Sequence, residues 1–89
     1  MTDREQLILE LKQLILRACD KELAPEDWTE DEPLFGPGAR LALDSLDALQ
    51  VSMALQKRHG LRLTDSKETR RILSSVGRLA DHLLERRPS

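Results

Sequence analysis

Between Leu7 and Cys19, apolar residues recur at Leu7, Ile8, Leu11, Leu14, Ile15, Ala18 and Cys19. This is the i, i+3, i+4, i+7 signature of an amphipathic helix. The spacing predicts a first helix over about residues 3–21, capped by Thr2 or Asp3, with Asp3 and Glu5 at the positive end of its dipole. Ala24-Pro25 ends it or opens a new turn. The rhythm then breaks over residues 22–43, where Pro25, Pro33, Gly36, Pro37 and Gly38 punctuate a run rich in Asp and Glu. A connection of about 20 residues in so short a chain tends to be functional. Its apolar residues, Trp28, Leu34, Phe35, Leu41 and Leu43, are expected to pin it to the core.

A second helix should start after Asp44, a good N-cap, and run to about His59, with Gly60 as its stop. Asp65 and Glu68 have capping-box spacing and open a short third helix through about Leu73. Ser74 or Ser75 can cap a last helix, whose Val76, Leu79, Ala80 and Leu83 form one stripe. The expected architecture is a single all-α domain over residues 1–89, a four-helix bundle with a long first loop and a short third helix.

Composition narrows the function classes. Eighteen Leu stand against three Ile and two Val, and Trp28 and Phe35 are the only aromatics, which argues against a sheet. A domain of 89 residues buries only about 60% of its unfolded surface, too little for a deep preorganised catalytic cleft. The net charge of −2 and pI near 5.6 disfavour nucleic acid, whose binders need a basic stripe. No apolar run is long enough to span a membrane, and Thr2 to Gln6 is too polar for a secretory signal. One cysteine forms no internal disulfide. A cytoplasmic monomer is the expectation. His59 and His82 have no Cys or carboxylate cluster at ligand spacing, so no metal site is expected. Cys19 reads as a small core residue, Trp28 as a loop anchor, and the C-terminal arginines as a solvated face.

The second helix is the informative element. At 100° per residue, Leu46, Leu49 and Met53 fall on one side, and Ala48, Val51 and Leu55 on nearly the opposite side. A helix on the outside of a small bundle needs only one buried stripe. The other is therefore a candidate contact surface, or both are buried between neighbours. The pattern does not say which stripe faces inward, although side-chain size favours the Leu46 side. Ser45 stands in the first turn, where free N–H groups and the dipole favour an attached phosphate; the alternative is that it is merely a second N-cap.

Leu41-Ala42-Leu43-Asp44-Ser45-Leu46-Asp47-Ala48-Leu49 resembles the attachment motif of acyl carrier proteins. The likeness extends to Asp31-Glu32-Pro33-Leu34-Phe35-Gly36, Met53-Ala54-Leu55, Gly60 to Leu63, and Ser75-Val76 with Leu79-Ala80. It implies that Ser45 carries 4′-phosphopantetheine drawn from coenzyme A, and that Asp44 helps a phosphopantetheinyl transferase engage. It further implies that Leu46, Asp47, Leu49 and Met53 meet partners, while Val51 and Leu55 belong to the core. Those partners would include a ketosynthase, an acyltransferase or other acyl-processing enzymes of fatty-acid- or polyketide-like biosynthesis. The chain would then be a carrier and not an enzyme.

Several residues depart from the family pattern. Ala42 stands where many carriers have Gly, implying a stiffer turn before Asp44. Gln50, Lys57 and Arg58 replace acidic positions, and Arg62, Arg70, Arg71, Arg78, Arg86 and Arg87 make the second half basic. These changes point away from a housekeeping fatty-acid carrier and toward a specialised one. The competing readings are a peptidyl or aryl carrier and an unmodified helical interaction module. A small hydrolase using Ser45 would need a base that the sequence does not offer.

Overall fold

The computed structural model describes residues 3–36, 38–63 and 65–86, with the side chains of Ser66 and Arg86 left aside. The expected features at Thr2, Pro37 and Arg87 lie outside the described residues. Four α-helices follow in order: α1 (Asp3–Ala18), α2 (Ser45–His59), α3 (Ser66–Ile72) and α4 (Val76–Arg86). A 3₁₀ turn over Pro25–Asp27 interrupts the first connection. Among the described residues the only β pairing is an isolated bridge between Phe35 and Leu43. The chain is all-α, and no described helix is long and apolar enough to cross a membrane.

α1 ends earlier than its apolar rhythm suggests, at Ala18 and not near residue 21. The physical reason is Asp20, which adopts φ +53. Lys21 N–H then donates back to the Leu16 carbonyl (2.9 Å) and Asp20 N–H to the Arg17 carbonyl (3.3 Å). This is a Schellman stop with Asp in the place of Gly, one of the few side chains that tolerate the left-handed region. Pro25 opens the 3₁₀ turn.

α1 is the centre of the fold, packing against α2, α4 and the 3₁₀ turn. Leu7, Ile8, Leu11 and Ile15 are buried as the periodicity predicts. Leu16, outside that stripe, is buried too, whereas Leu14 is only half-buried. Leu16 lies one turn beyond Lys12, on the flank that the returning connection covers. There the Lys12 ammonium donates to the Pro25 carbonyl (2.9 Å) and to the Trp28 carbonyl. It also sits 5.2 Å from the centroid of the Trp28 ring.

The long connection is built into the core. Trp28, Leu34, Leu41 and Leu43 are buried, and Phe35 is partly buried against them. Two backbone bonds stitch the connection to the other end of the chain. Leu34 N–H donates to the Ser74 carbonyl (3.1 Å), and Gly77 N–H donates to the Glu30 carbonyl (2.9 Å). The second bond gives one of the orphan donors in the first turn of α4 a partner. It also explains the glycine, since a Cβ at residue 77 would lie 3.3 Å from the Glu30 oxygen. Arg4 adds exposed ion pairs to Glu30 and Asp81, each at 2.9 Å, and such pairs stabilise little.

The remaining ends follow the expected chemistry with one adjustment. Asp65 caps α3, but its carboxylate accepts from Lys67 N–H (3.0 Å), not from residue 68, so the reciprocal Asp65–Glu68 box is not formed. Ser75, and not Ser74, caps α4, its hydroxyl accepting from Arg78 N–H (3.2 Å). Val76, Leu79, Ala80 and Leu83 are all buried.

Ala42 adopts φ +47, a left-handed conformation that costs a residue with a Cβ about 1–2 kcal/mol. Its side chain is exposed, so truncation removes no packing. Ala42→Gly should relieve that strain while adding about 0.4–1 kcal/mol of unfolded-state entropy. The net expectation is a gain of about 0.5 kcal/mol and a melting temperature raised by about 2–4 °C. A lower melting temperature in a thermal scan would show that the turn holds Ala42 without strain.

Candidate functional site

The buried connection delivers the chain to the start of α2 through Leu43, whose N–H donates to the Leu34 carbonyl (2.9 Å). Asp44 is extended, and its Oδ1 accepts from Asp47 N–H at 2.9 Å. Asp47 Oδ2 in turn accepts from Asp44 N–H at 3.2 Å. The two aspartates thus form a reciprocal capping box, which fixes where the helix begins. At the far end Gly60, at φ +67, closes α2 as expected, its N–H donating to Gln56.

Because Asp44 performs the capping, Ser45 does not. Ser45 is the first residue of α2 and is exposed. Among the described residues its hydroxyl has no hydrogen-bond partner. Among the described residues no hydrogen bond links this hydroxyl to an imidazole or a carboxylate.

The two stripes of α2 have opposite fates. Val51 and Leu55 are 1% and 0% exposed, whereas Leu46, Leu49 and Met53 are 63%, 55% and 58% exposed. Ala48 is half-buried. The size argument, which favoured burying the Leu46 side, is therefore overturned, and Val51 and Leu55, which the resemblance puts in the core, are the buried pair. The physical reason is position: the inward side of α2 meets α1 and the cluster built by the connection, where Val51 and Leu55 fill the space. Three large apolar side chains in a row remain in water beside Ser45, a patch that makes this face a candidate contact surface.

Cys19 is half-buried, its thiol 3.9 Å from the Asp47 carbonyl, where the end of α1 meets the start of α2. Burial, followed by the negative charge of Asp47, pushes its pKa from 9.0 up to about 11. It is therefore a thiol at neutral pH and a poor nucleophile. Trp28 anchors the connection. Among the described residues no group of three or more His, Cys, Asp or Glu could hold a metal ion. Lys57, Arg58, Arg62, Arg70, Arg71 and Arg78 are all exposed.

Two features escaped the sequence reading. The Asp44–Asp47 box is legible in hindsight as an acidic residue three positions after the cap. The second is an open groove of about 380 Å³ between α1 and the far half of α2, lined by Glu10, Gln13, Leu14, Arg17, Ala54, Lys57 and Arg58. No one-dimensional pattern pairs Arg17 with Lys57 and Arg58. No family model, curated protein or solved structure matches the chain.

Two tests follow from this geometry. Leu55→Ala should cost about 2–5 kcal/mol, while Met53→Glu should stay within about 0.5 kcal/mol of the parent. The reverse order in thermal unfolding would show that the helix faces are exchanged. For Cys19, the native thiolate fraction below pH 9 should be about 100-fold lower than in the unfolded chain, and iodoacetamide alkylation should slow accordingly. The unfolded thiol ionises first, so stability should decline as the pH rises from 9.0 toward about 11. Equal native and unfolded alkylation rates at pH 8 would contradict the burial of this thiol.

Proposed function

We propose that the chain is an acyl carrier protein bearing 4′-phosphopantetheine on Ser45. The observation that carries this reading is the exposed, unpartnered Ser45 hydroxyl at the start of α2, directly beside the exposed row Leu46–Leu49–Met53. A capping aspartate holds the helix start, which leaves the serine available to an outside catalyst. In the proposed reaction a phosphopantetheinyl transferase supplies the base, with coenzyme A and Mg²⁺. The Ser45 oxygen forms a bond to the pantetheine phosphorus, the nucleotide portion leaves, and the serine proton passes to the transferase.

The residues around Ser45 suit a phosphodiester. Its own N–H and that of Leu46 lie in the first turn, outside the capping box, at the positive end of the helix dipole. The carboxylates of Asp44 and Asp47 oppose an anion, but each has one oxygen engaged with a backbone N–H. The bound group supplies a terminal thiol that holds an acyl chain as a thioester. The chain's own contribution is tethering, which converts bimolecular encounters into local ones. Leu46, Leu49 and Met53, with Asp47 at their edge, offer one surface for the transferase and for a ketosynthase or acyltransferase in turn. The basic end of α2 and the arginines of α3 and α4 favour a specialised pathway over a general fatty-acid synthase.

The same exposed row supports a second reading, a helical interaction module with Ser45 unmodified. Incubation with coenzyme A, Mg²⁺ and a broad-specificity transferase separates the two. The parent should gain the mass of one phosphopantetheinyl group and Ser45→Ala none. A parent left unmodified by several active transferases supports the interaction module, and modification of Ser45→Ala would place the arm elsewhere. The acyl group recovered on the thiol then distinguishes an acyl carrier from a peptidyl or aryl carrier.

A further inference from the structure

The groove between α1 and α2 gathers three basic side chains and leaves them unpaired. Arg17 from α1 meets Lys57 and Arg58 from the last turn of α2 around an apolar floor of Leu14 and Ala54. All three cations are exposed. Among the described residues the ion pairs are those of Arg4 with Glu30 and Asp81 and of Arg40 with Glu32, so none of the three is neutralised. Glu10 shares the lining but pairs with none of them. Helix dipoles favour cations in the last turn of each helix separately. They give no reason for both sets to share one groove, where like charges repel.

The groove is continuous with the exposed row of α2. Lys57 lies four residues beyond Met53, one turn further along the same side. From Asp47 to Lys57 the helix rises by about 15 Å, more than the Debye length of about 8 Å at physiological salt. A molecule docking along α2 therefore meets two separate fields, negative at Asp44 and Asp47 and positive at the groove, with the apolar row between them.

We propose that this groove binds an acidic peptide segment of a partner protein. Its carboxylates would meet Arg17, Lys57 and Arg58, and one apolar side chain would rest on Leu14 and Ala54. The excess positive charge and the apolar floor call for that combination. An extended polyanion suits the groove poorly, because Glu10 interrupts the lining and Asp44 and Asp47 repel anything continuing along α2. The site stands apart from Ser45, at the opposite end of the helix, and operates whether or not that serine is modified.

The test uses the full unmodified chain, ¹⁵N-labelled, titrated with an acetylated pentapeptide in which one leucine separates two pairs of glutamates. At about 50 mM salt, saturable amide shift changes are expected at Gln13, Leu14, Ala54 and Lys57. Raising salt to about 300 mM should weaken binding several-fold. The double variant Arg17→Glu/Lys57→Glu should weaken it at least about tenfold. Arg70→Glu/Arg71→Glu, which changes net charge equally on α3, should stay within about twofold. Thermal unfolding confirms that both variants remain folded. Equal weakening by the two variants would reduce the effect to net charge and overturn the proposal. Absence of saturable binding overturns it as well, as does tighter binding of an oligothymidylate or a phosphatidylglycerol vesicle at the same residues.

Discussion

The structure depends on how the long connection between α1 and α2 is held. Among the described residues its backbone makes one 3₁₀ turn, one isolated bridge and single turn bonds from Glu32 to Thr29 and from Ala39 to Gly36, so helical bonding alone cannot order it. Burial of Trp28, Leu34, Leu41 and Leu43 supplies the favourable free energy instead. Lys12 then caps carbonyls that the turn leaves open, and Ser74 and Gly77 pair with the connection's backbone. The connection is thereby part of the core, and the point where it releases the chain determines where α2 begins.

That constraint explains why the exposed face of α2 is an expensive feature. Val51 and Leu55 complete the cluster from one side, leaving Leu46, Leu49 and Met53 in water although any of them could fill a core position. Retaining three such side chains on one helix face is difficult to reconcile with stability alone. The same helix is negative at its start and positive at its end, and its positive end joins Arg17 across the groove. An apolar row between opposite charges favours an oriented contact, because charge complementarity sets register and suppresses wrong partners more than it adds affinity.

Much of this was legible along the chain. The Leu7 to Ile15 stripe, the Asp44 and Gly60 boundaries, the Asp65 cap and the α4 stripe all rest on local rules of periodicity and capping, which neighbouring residues satisfy among themselves. The failures are also informative. The end of α1 moved because Asp20 takes a conformation that its residue type permits but does not demand. Glu68 forms no capping box because the Asp65 carboxylate accepts from Lys67 N–H instead. For α2, the pattern disclosed two stripes without ranking them, and size ranked them the wrong way.

By itself, then, the sequence determined that the protein is helical, where most of its helices start and stop, and that Ser45 stands in a first turn beside a surplus apolar stripe. These are properties of short segments, set by side-chain period, caps and the limits on φ. Pattern and size could not decide which stripe of α2 is buried, and only the tertiary structure joins Arg17 to Lys57 and Arg58 in one groove. Each of these depends on which surface a distant segment covers. That is settled by competition among residues far apart in the chain for the same limited buried volume.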